Sequence, residues 1–220
     1  MKKMILVIFL MLAGLGIFAQ NTVPGMIREL NGTVELKVPG SSSYVTAKAG
    51  DRLTQDTVIS TGFKSYALVE VGSTLITVRP LTRLTLAEIR ASEGKETLNV
   101  NLHAGRLRVE VNPPAGARTS MSVMSPTATA SVRGTGFEFD TRNLKVKHGK
   151  VSFLGKEGNA MLVGAGFSST VEGNGKAADP VSERVAGLRP KRPVGSDSSG
   201  RGSGVTPAAT SGLVTITLNY

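Results

Sequence analysis

The sequence predicts an all-β protein, and three observations support this fold class. Apolar and polar residues alternate over short runs such as 67–71 and 98–102, in which Val, Ile and Thr are prominent. Turn-forming residues recur about every eight to twelve positions. No segment keeps the apolar spacing of an amphipathic helix over three turns, and only residues 81–91 are ambiguous. We therefore expect a single β domain, built as a solenoid-like winding, a roll or a sandwich.

The N-terminus has the layout of a secretory signal peptide over residues 1–20. Lys2 and Lys3 precede an apolar stretch from Met4 to Ala13, and Ala19 is a small residue before a cut. The alternative is an uncleaved anchor, but residues 4–19 are fewer than the roughly 20 that a spanning helix needs. We therefore expect export to the periplasm or outside the cell, with no membrane-spanning segment after cleavage.

The chain has no cysteine and a formal net charge of +10. An exported protein without cysteine has no disulfide bond and no thiol nucleophile, so its fold depends on strand pairing and apolar burial. The excess of Lys and Arg favours acidic partners such as anionic glycans, lipid headgroups or nucleic acid. Because these cations are scattered along the chain, a generally basic surface and a dedicated anion site both stay open.

Residues 27–171 are expected to form the β domain, with the most regular part at 49–153. Successive side chains of a strand point to opposite faces, so each alternating apolar set is expected to line the buried face of one strand. These sets are Val34, Leu36 and Val38; Ala67, Val69 and Val71; Leu98, Val100 and Leu102; and Leu107, Val109 and Val111.

Three loosely repeated segments, NGTVEL, AGRLRV and HGKVSF, place a glycine directly before an apolar–variable–apolar triplet. Gly32, Gly105 and Gly149 are these glycines, and each predicts a tight turn that leads into a new strand. Their unequal spacing does not fit a regular solenoid. It suggests strands that are wound around a common core more than once.

The segment Gly134–Thr135–Gly136 separates two apolar sets of opposite parity, 128–132 and 137–139. Both sets face one core only if a residue is inserted between them, which predicts a β-bulge at the glycines. A phosphate-binding loop would instead need a helix directly downstream, and the following FEFD predicts a strand. Arg133 lies beside this segment and opposite the core-facing set, where it either pins neighbouring groups or contacts a ligand.

Residues 49–78, 125–139 and 146–153 resemble a FecR-type domain. The resemblance implies a periplasmic, all-β, solenoid-like domain that binds other envelope components. In the namesake regulators it follows a transmembrane helix and a cytosolic segment that engages a sigma factor, so the predicted signal peptide implies a free-standing exported form here. Val71 and Gly136 depart from the family pattern, which usually has an aspartate and a larger residue. The matching residues are Gly50, Asp51, Thr61, Gly62, Gly72, Ser73, Arg133, Gly134, Thr135 and Gly149.

The composition changes after about Val171. Residues 172–212 are rich in glycine, serine and proline and poor in apolar residues, which predicts a disordered, basic linker. The final segment 213–220, LVTITLNY, alternates and predicts a strand that needs a partner. It either returns to an edge of its own domain or docks on another protein by strand addition.

We predict no catalytic residue, metal site or cofactor. His103 and His148 are the only histidines, and without clustered carboxylates they fall short of a zinc site. No Gly-x-Ser-x-Gly motif is present. With no Trp and three Tyr, stacking platforms for nucleic acid are scarce, and no nucleic-acid partner is expected.

The function that fits these observations is a non-catalytic binding or scaffold module that recognises an envelope protein or an anionic glycan. The first alternative is a structural protein that oligomerises through residues 213–220. The second is an enzyme acting on cell-wall polymer, which requires that some of the singly spaced acidic residues assemble in space.

Overall fold

The structure, a computed structural model, describes residues 24–92 and 94–182. Over these ranges the chain forms β-strands and no helix, so the all-β prediction is confirmed. Accordingly, no helix long and apolar enough to cross a bilayer occurs there. The predicted signal peptide (1–20) and the predicted strand 213–220 lie outside the described residues.

The strands follow one another closely along the chain. They are β1 (Gly25–Asn31), β2 (Val34–Lys37), β3 (Val45–Thr46), β4 (Arg52–Leu53), β5 (Val58–Thr61), β6 (Tyr66–Val71), β7 (Thr74–Val78), β8 (Arg83–Ser92), β9 (Lys95–Ala104), β10 (Arg106–Val111), β11 (Arg118–Met124), β12 (Ala128–Val132), β13 (Gly136–Asp140), β14 (Asn143–His148), β15 (Lys150–Gly155), β16 (Met161–Gly164), β17 (Phe167–Thr170) and β18 (Val181–Ser182). The ambiguous segment 81–91 is therefore mostly strand β8.

The strands form two nine-stranded sheets. Sheet A has the order β18-β17-β14-β13-β10-β7-β6-β1-β4, and sheet B has the order β16-β15-β12-β11-β9-β8-β5-β2-β3. Neighbours are antiparallel except β9 and β11, which pair in parallel. The chain passes repeatedly from one sheet to the other, so successive strand pairs wind around a shared interior. This arrangement agrees with the winding that the repeated glycine segments suggest.

The interior is one apolar core to which both sheets contribute. The alternating sets predicted to be buried are buried, with the exception of Val38, which is 45% exposed. Val38 is exposed because β2 ends at Lys37 and the chain then turns at residues 39–40. The rings of Phe139 on β13 and Phe153 on β15 meet edge to face at 5.9 Å and connect the two sheets.

Gly32, Gly105 and Gly149 lie where the chain crosses between the sheets, and their φ angles are 76°, 89° and 79°. Each crossing packs against a buried hydroxyl group from another segment. A Cβ at any of the three glycines would come within 2.7 Å of that hydroxyl oxygen. The hydrogen bonds at these crossings are Thr33 N–H to Ser65 Oγ (2.8 Å), Arg106 N–H to Thr82 Oγ1 (3.0 Å) and Thr135 Oγ1 to the Lys150 carbonyl (3.1 Å).

The segment 134–136 also crosses between the sheets, so its interpretation as a β-bulge is wrong. Strand β12 in sheet B ends at Val132, and β13 in sheet A begins at Gly136. Both flanking apolar sets face the core as predicted. Where the chain crosses from one sheet to the facing sheet, the core-facing side chains change from even-numbered to odd-numbered positions. A β-bulge produces the same change of parity, so the sequence does not distinguish the two. The pairing of β13 with β14 does contain a register shift, but its unpaired residue lies on β14, between Val146 and His148.

Residues 172–182 belong to the folded domain, so the predicted disordered linker at 172–212 is wrong for this part. Val171 forms a bridge with Ala177, and β18 pairs with β17. The Ser169 hydroxyl donates to the Ala178 carbonyl at 2.6 Å. This polar segment is ordered by backbone hydrogen bonds to neighbouring strands. The linker prediction is based on amino-acid composition, which does not reveal such pairing. The rest of the predicted linker lies outside the described residues.

Candidate functional site

Gly50 and Asp51 form a turn that packs against β1. The Asp51 carboxylate accepts a hydrogen bond from the Lys48 N–H at 2.8 Å, and the Gly50 N–H donates to the Ile27 carbonyl at 2.8 Å. Gly50 has a φ of 91°, which favours glycine. Both residues therefore hold a turn in place.

Thr61 and Gly62 stabilise the crossing after β5. The buried Thr61 hydroxyl donates to the Arg79 carbonyl at 2.6 Å and accepts from the Thr82 N–H at 3.0 Å. The Gly62 N–H donates to the Thr33 carbonyl at 2.8 Å. These bonds give hydrogen-bond partners to backbone N–H and carbonyl groups at the crossing, where the chain leaves the strand pairing.

Gly72 and Ser73 form the turn of the β6–β7 hairpin, which is attached to sheet B by Glu96. One Glu96 carboxylate oxygen accepts hydrogen bonds from the Ser73 N–H (3.0 Å), the Ser73 hydroxyl (2.5 Å) and the Thr119 hydroxyl (3.2 Å). Sequence reasoning missed Glu96. In the sequence, Glu96 is visible only as an acidic residue within an alternating strand, and such a residue ordinarily faces solvent.

Replacing Glu96 with alanine is expected to lower the free energy of unfolding by about 1–3 kcal/mol, because the Ser73 N–H loses its acceptor and the Thr119 hydroxyl keeps only its 2.6 Å contact with the Ser73 hydroxyl. Urea unfolding followed by circular dichroism measures this loss. Glu35→Ala is the control, since Glu35 is exposed on strand β2, and its effect is expected to stay within about 0.5 kcal/mol. Equal losses in both variants would contradict the role given to Glu96.

Arg133 differs from the other motif residues, because its side chain is exposed and makes no hydrogen bond or ion pair with any residue in 24–92 or 94–182. Its neighbours Gly134 and Thr135 serve the crossing: Gly134 has a φ of 71° and Thr135 is buried. Arg133, Gly134 and Ser120 line two adjoining clefts of about 470 and 590 Å³. The guanidinium therefore stands between two open clefts.

Three further cations line the same clefts: Lys95 and Arg118 in the first, and Lys150 in the second. Lys95 lies directly opposite Arg118 across the parallel strands β9 and β11. Like charges in that position repel one another. None of the three forms an ion pair with a residue that the structure describes. None of the four cleft cations is therefore paired directly with a described carboxylate.

On the outer face of sheet A, by contrast, several cations form ion pairs. The ion pairs are Arg106–Asp140 at 2.9 Å, Arg108–Glu110 at 2.9 Å, and Glu138 with Arg79 and Lys147, each at 3.9 Å. Burial alone would raise the pKa of Asp140, but hydrogen bonds from Asn143, Arg106 and Arg142 outweigh it and lower that pKa. These cations therefore differ from the four cations of the clefts, which form no ion pair with a described residue.

Neither histidine is among the residues that line the clefts. His103 Nε2 lies 2.8 Å from the Thr85 hydroxyl, and His148 Nε2 lies 3.5 Å from a Glu110 carboxylate oxygen. Within residues 24–92 and 94–182, no three His, Asp or Glu side chains gather as metal ligands. Glu96 is the one carboxylate among the residues lining the two clefts, and it is occupied by Ser73 and Thr119. The chemistry that this arrangement offers is the binding of anionic groups.

Comparison with known proteins gives a family match and similar solved structures. Residues 57–161 match the family model described as FecR protein, a range that includes the motif residues from Thr61 to Gly149. Two crystal structures of a candidate anti-sigma factor from Parabacteroides distasonis are similar, at 17% and 16% identity with TM-scores of 0.47 and 0.46. The matches cover 57% and 60% of this chain, and 59% and 63% of those chains. No curated protein matches.

Proposed function

Since the chain carries a FecR-type domain over residues 57–161, we propose that it is a non-catalytic binding module of the cell envelope whose contact surface is centred on Arg133. Its partner is an envelope protein or a glycan. The observation that carries the proposal is the exposed Arg133 guanidinium, which has no partner among the described residues and stands between two clefts.

Arg133 is the exception within the motif. The glycines provide positive φ angles or close approach at turns and crossings, and Asp51, Thr61, Ser73 and Thr135 bond to other parts of the domain. An arginine that serves the fold normally pairs with a carboxylate or with carbonyl groups, as Arg106 and Arg142 do here. A free guanidinium presents five N–H donors in a planar fork, which suits a carboxylate or phosphate of a partner.

Two features support binding over catalysis. The clefts contain no histidine, and their one carboxylate, Glu96, is engaged by the Ser73 hairpin and Thr119. General acid–base chemistry most often uses a histidine or a carboxylate within reach of the substrate. The proposed location in the periplasm or outside the cell rests on the sequence of residues 1–20, with its basic start and apolar stretch.

Replacing Arg133 with alanine is expected to abolish most crosslinking to the partner, because the side chain supplies the central contact. The measurement is a crosslinking pull-down from intact cells that express the full-length protein. Arg83→Ala is the matched control, since Arg83 is exposed on the same sheet at the opposite end of β8 from the Ser92–Lys95 pair.

The wild type and Arg83→Ala are expected to recover the same species, with Arg133→Ala recovering little of it. All three proteins should have the same midpoint in thermal unfolding, which excludes a folding defect. Recovery of the same species by Arg133→Ala in undiminished amount would overturn the assignment of the surface, as would recovery of nothing by the wild type.

A further inference from the structure

The outer face of sheet B presents a row of small polar side chains beside the clefts. Asn99 on β9, Ser122 on β11, Ser131 on β12 and Ser152 on β15 are successive cross-strand neighbours. Ser122 and Ser131 approach each other at 3.2 Å between their hydroxyl oxygens. Such a row offers both donors and acceptors to a ligand that lies across the strands.

The four cations of the clefts run in the same direction as this row. Lys95 is on β9, Arg118 on β11, Arg133 directly after β12 and Lys150 on β15, and these four strands are neighbours in sheet B. Three strand spacings of about 4.8 Å give a line about 14 Å long. One carboxylate or phosphate group is too small to contact the whole line, so a chain that bears several anionic groups matches it better.

The residues that line the clefts also narrow the class of ligand. Among the described residues, no aromatic side chain lines either cleft, so these residues offer no stacking platform to nucleobases or to the faces of neutral sugars. Leu162 is the only large exposed apolar side chain that residues 24–92 and 94–182 contribute to the lining, which is too little for insertion into a lipid bilayer. Charge and hydrogen bonding are the means of recognition that the lining provides.

We propose that the two clefts bind one anionic polysaccharide chain. Repeating anionic groups on the sugar chain contact Lys95, Arg118, Arg133 and Lys150, and the sugar hydroxyls bond to the polar row on sheet B. This inference rests on the proposed function, because it names the ligand class of the same Arg133 surface. It also accounts for four cations on one surface without a described carboxylate to pair with them.

The test uses the purified full-length protein and three immobilised polymers: polygalacturonate, dextran sulfate and uncharged dextran. Binding to one or both of the anionic polymers and none to dextran is the expected result. Stronger binding to polygalacturonate would show a preference for carboxylate groups, and stronger binding to dextran sulfate would show a preference for sulfate groups. Arg118→Ala and Arg133→Ala are each expected to weaken the binding about tenfold, as the loss of one charge-assisted hydrogen bond would.

Arg83→Ala removes the same charge at the end of β8 that is opposite to the Ser92–Lys95 pair, and it is expected to change the affinity less than twofold. Raising the salt concentration should weaken all the interactions that remain, because exposed charges are screened. If Arg83→Ala weakens binding as much as Arg133→Ala, a generally basic surface is responsible and the inference is wrong. Equal binding to uncharged dextran would also overturn it.

The outcome of this test separates the inference from the proposed function. If the purified protein binds neither anionic polymer, while Arg133→Ala still abolishes crosslinking to a protein in cells, the ligand class is wrong and the binding module stands. If the purified protein binds no polymer and the cellular pull-down recovers nothing, both are wrong.

Discussion

Replacing Phe153 with alanine is expected to lower the free energy of unfolding by about 3–5 kcal/mol. Phe153 is fully buried on β15 in sheet B, and its ring packs edge to face on Phe139 of sheet A. The substitution removes this contact and leaves a cavity between the sheets, which the paired strands on both sides prevent from collapsing. The loss is large beside the 5–15 kcal/mol by which domains are usually stable.

Urea unfolding followed by circular dichroism measures the effect of this substitution. Phe63→Ala is the matched control, because Phe63 is 73% exposed, and its effect is expected to stay within about 0.5 kcal/mol. If Phe153→Ala does not fold, Phe153→Leu provides the smaller loss of about 1–2 kcal/mol. A Phe153 variant as stable as the Phe63 variant would show that the two sheets do not share this core.

Replacing Gly105 with alanine is expected to cost about 2–5 kcal/mol of stability. Gly105 has a φ of 89°, which L-residues adopt at a cost of about 1–2 kcal/mol. A Cβ there would also lie 2.5 Å from the Thr82 Cα and 2.6 Å from the Leu81 carbonyl oxygen. These are backbone atoms at a crossing between the sheets, so relief requires the crossing itself to move.

Gly116→Ala separates the two contributions to the Gly105 effect. Gly116 has a φ of 82°, but no atom lies within 4 Å of the position of its added Cβ. We expect this control to lose only the conformational part, about 1–2 kcal/mol, in the same urea unfolding experiment. If the two variants are equally destabilised, the close approach at the Thr82 crossing contributes nothing to stability.

Several features of the fold follow from short-range patterns in the sequence. The alternation in 67–71 and 98–102 correctly predicts buried residues, because side chains of a strand alternate between its two faces wherever the strand lies. The glycines before the repeated triplets predict turns, and Gly32, Gly105 and Gly149 do have positive φ angles. Where the pattern runs past the end of a strand, it fails, as at Val38.

The candidate site is only partly visible in the sequence. Arg133 attracts attention because it stands beside a recognisable motif and opposite the core-facing set. Lys95, Arg118 and Lys150 carry no such signal, since they are separated along the chain and scattered among other cations. Strands β9 and β11 are brought side by side in parallel only because β10 crosses to the other sheet between them.

By itself, the sequence determined the all-β class, the inward side of the strands that carry the alternating apolar sets, and the resemblance to the FecR type, because these depend on residues close together in the chain. The tertiary structure alone decided three other matters. It made residues 134–136 a crossing instead of a bulge and extended the domain to residues 172–182. It also left the four cleft cations without an ion pair to a described carboxylate, while Arg106 and Arg108 on sheet A are paired. Each of these depends on which strands are neighbours, and strand pairing is a long-range property of the chain.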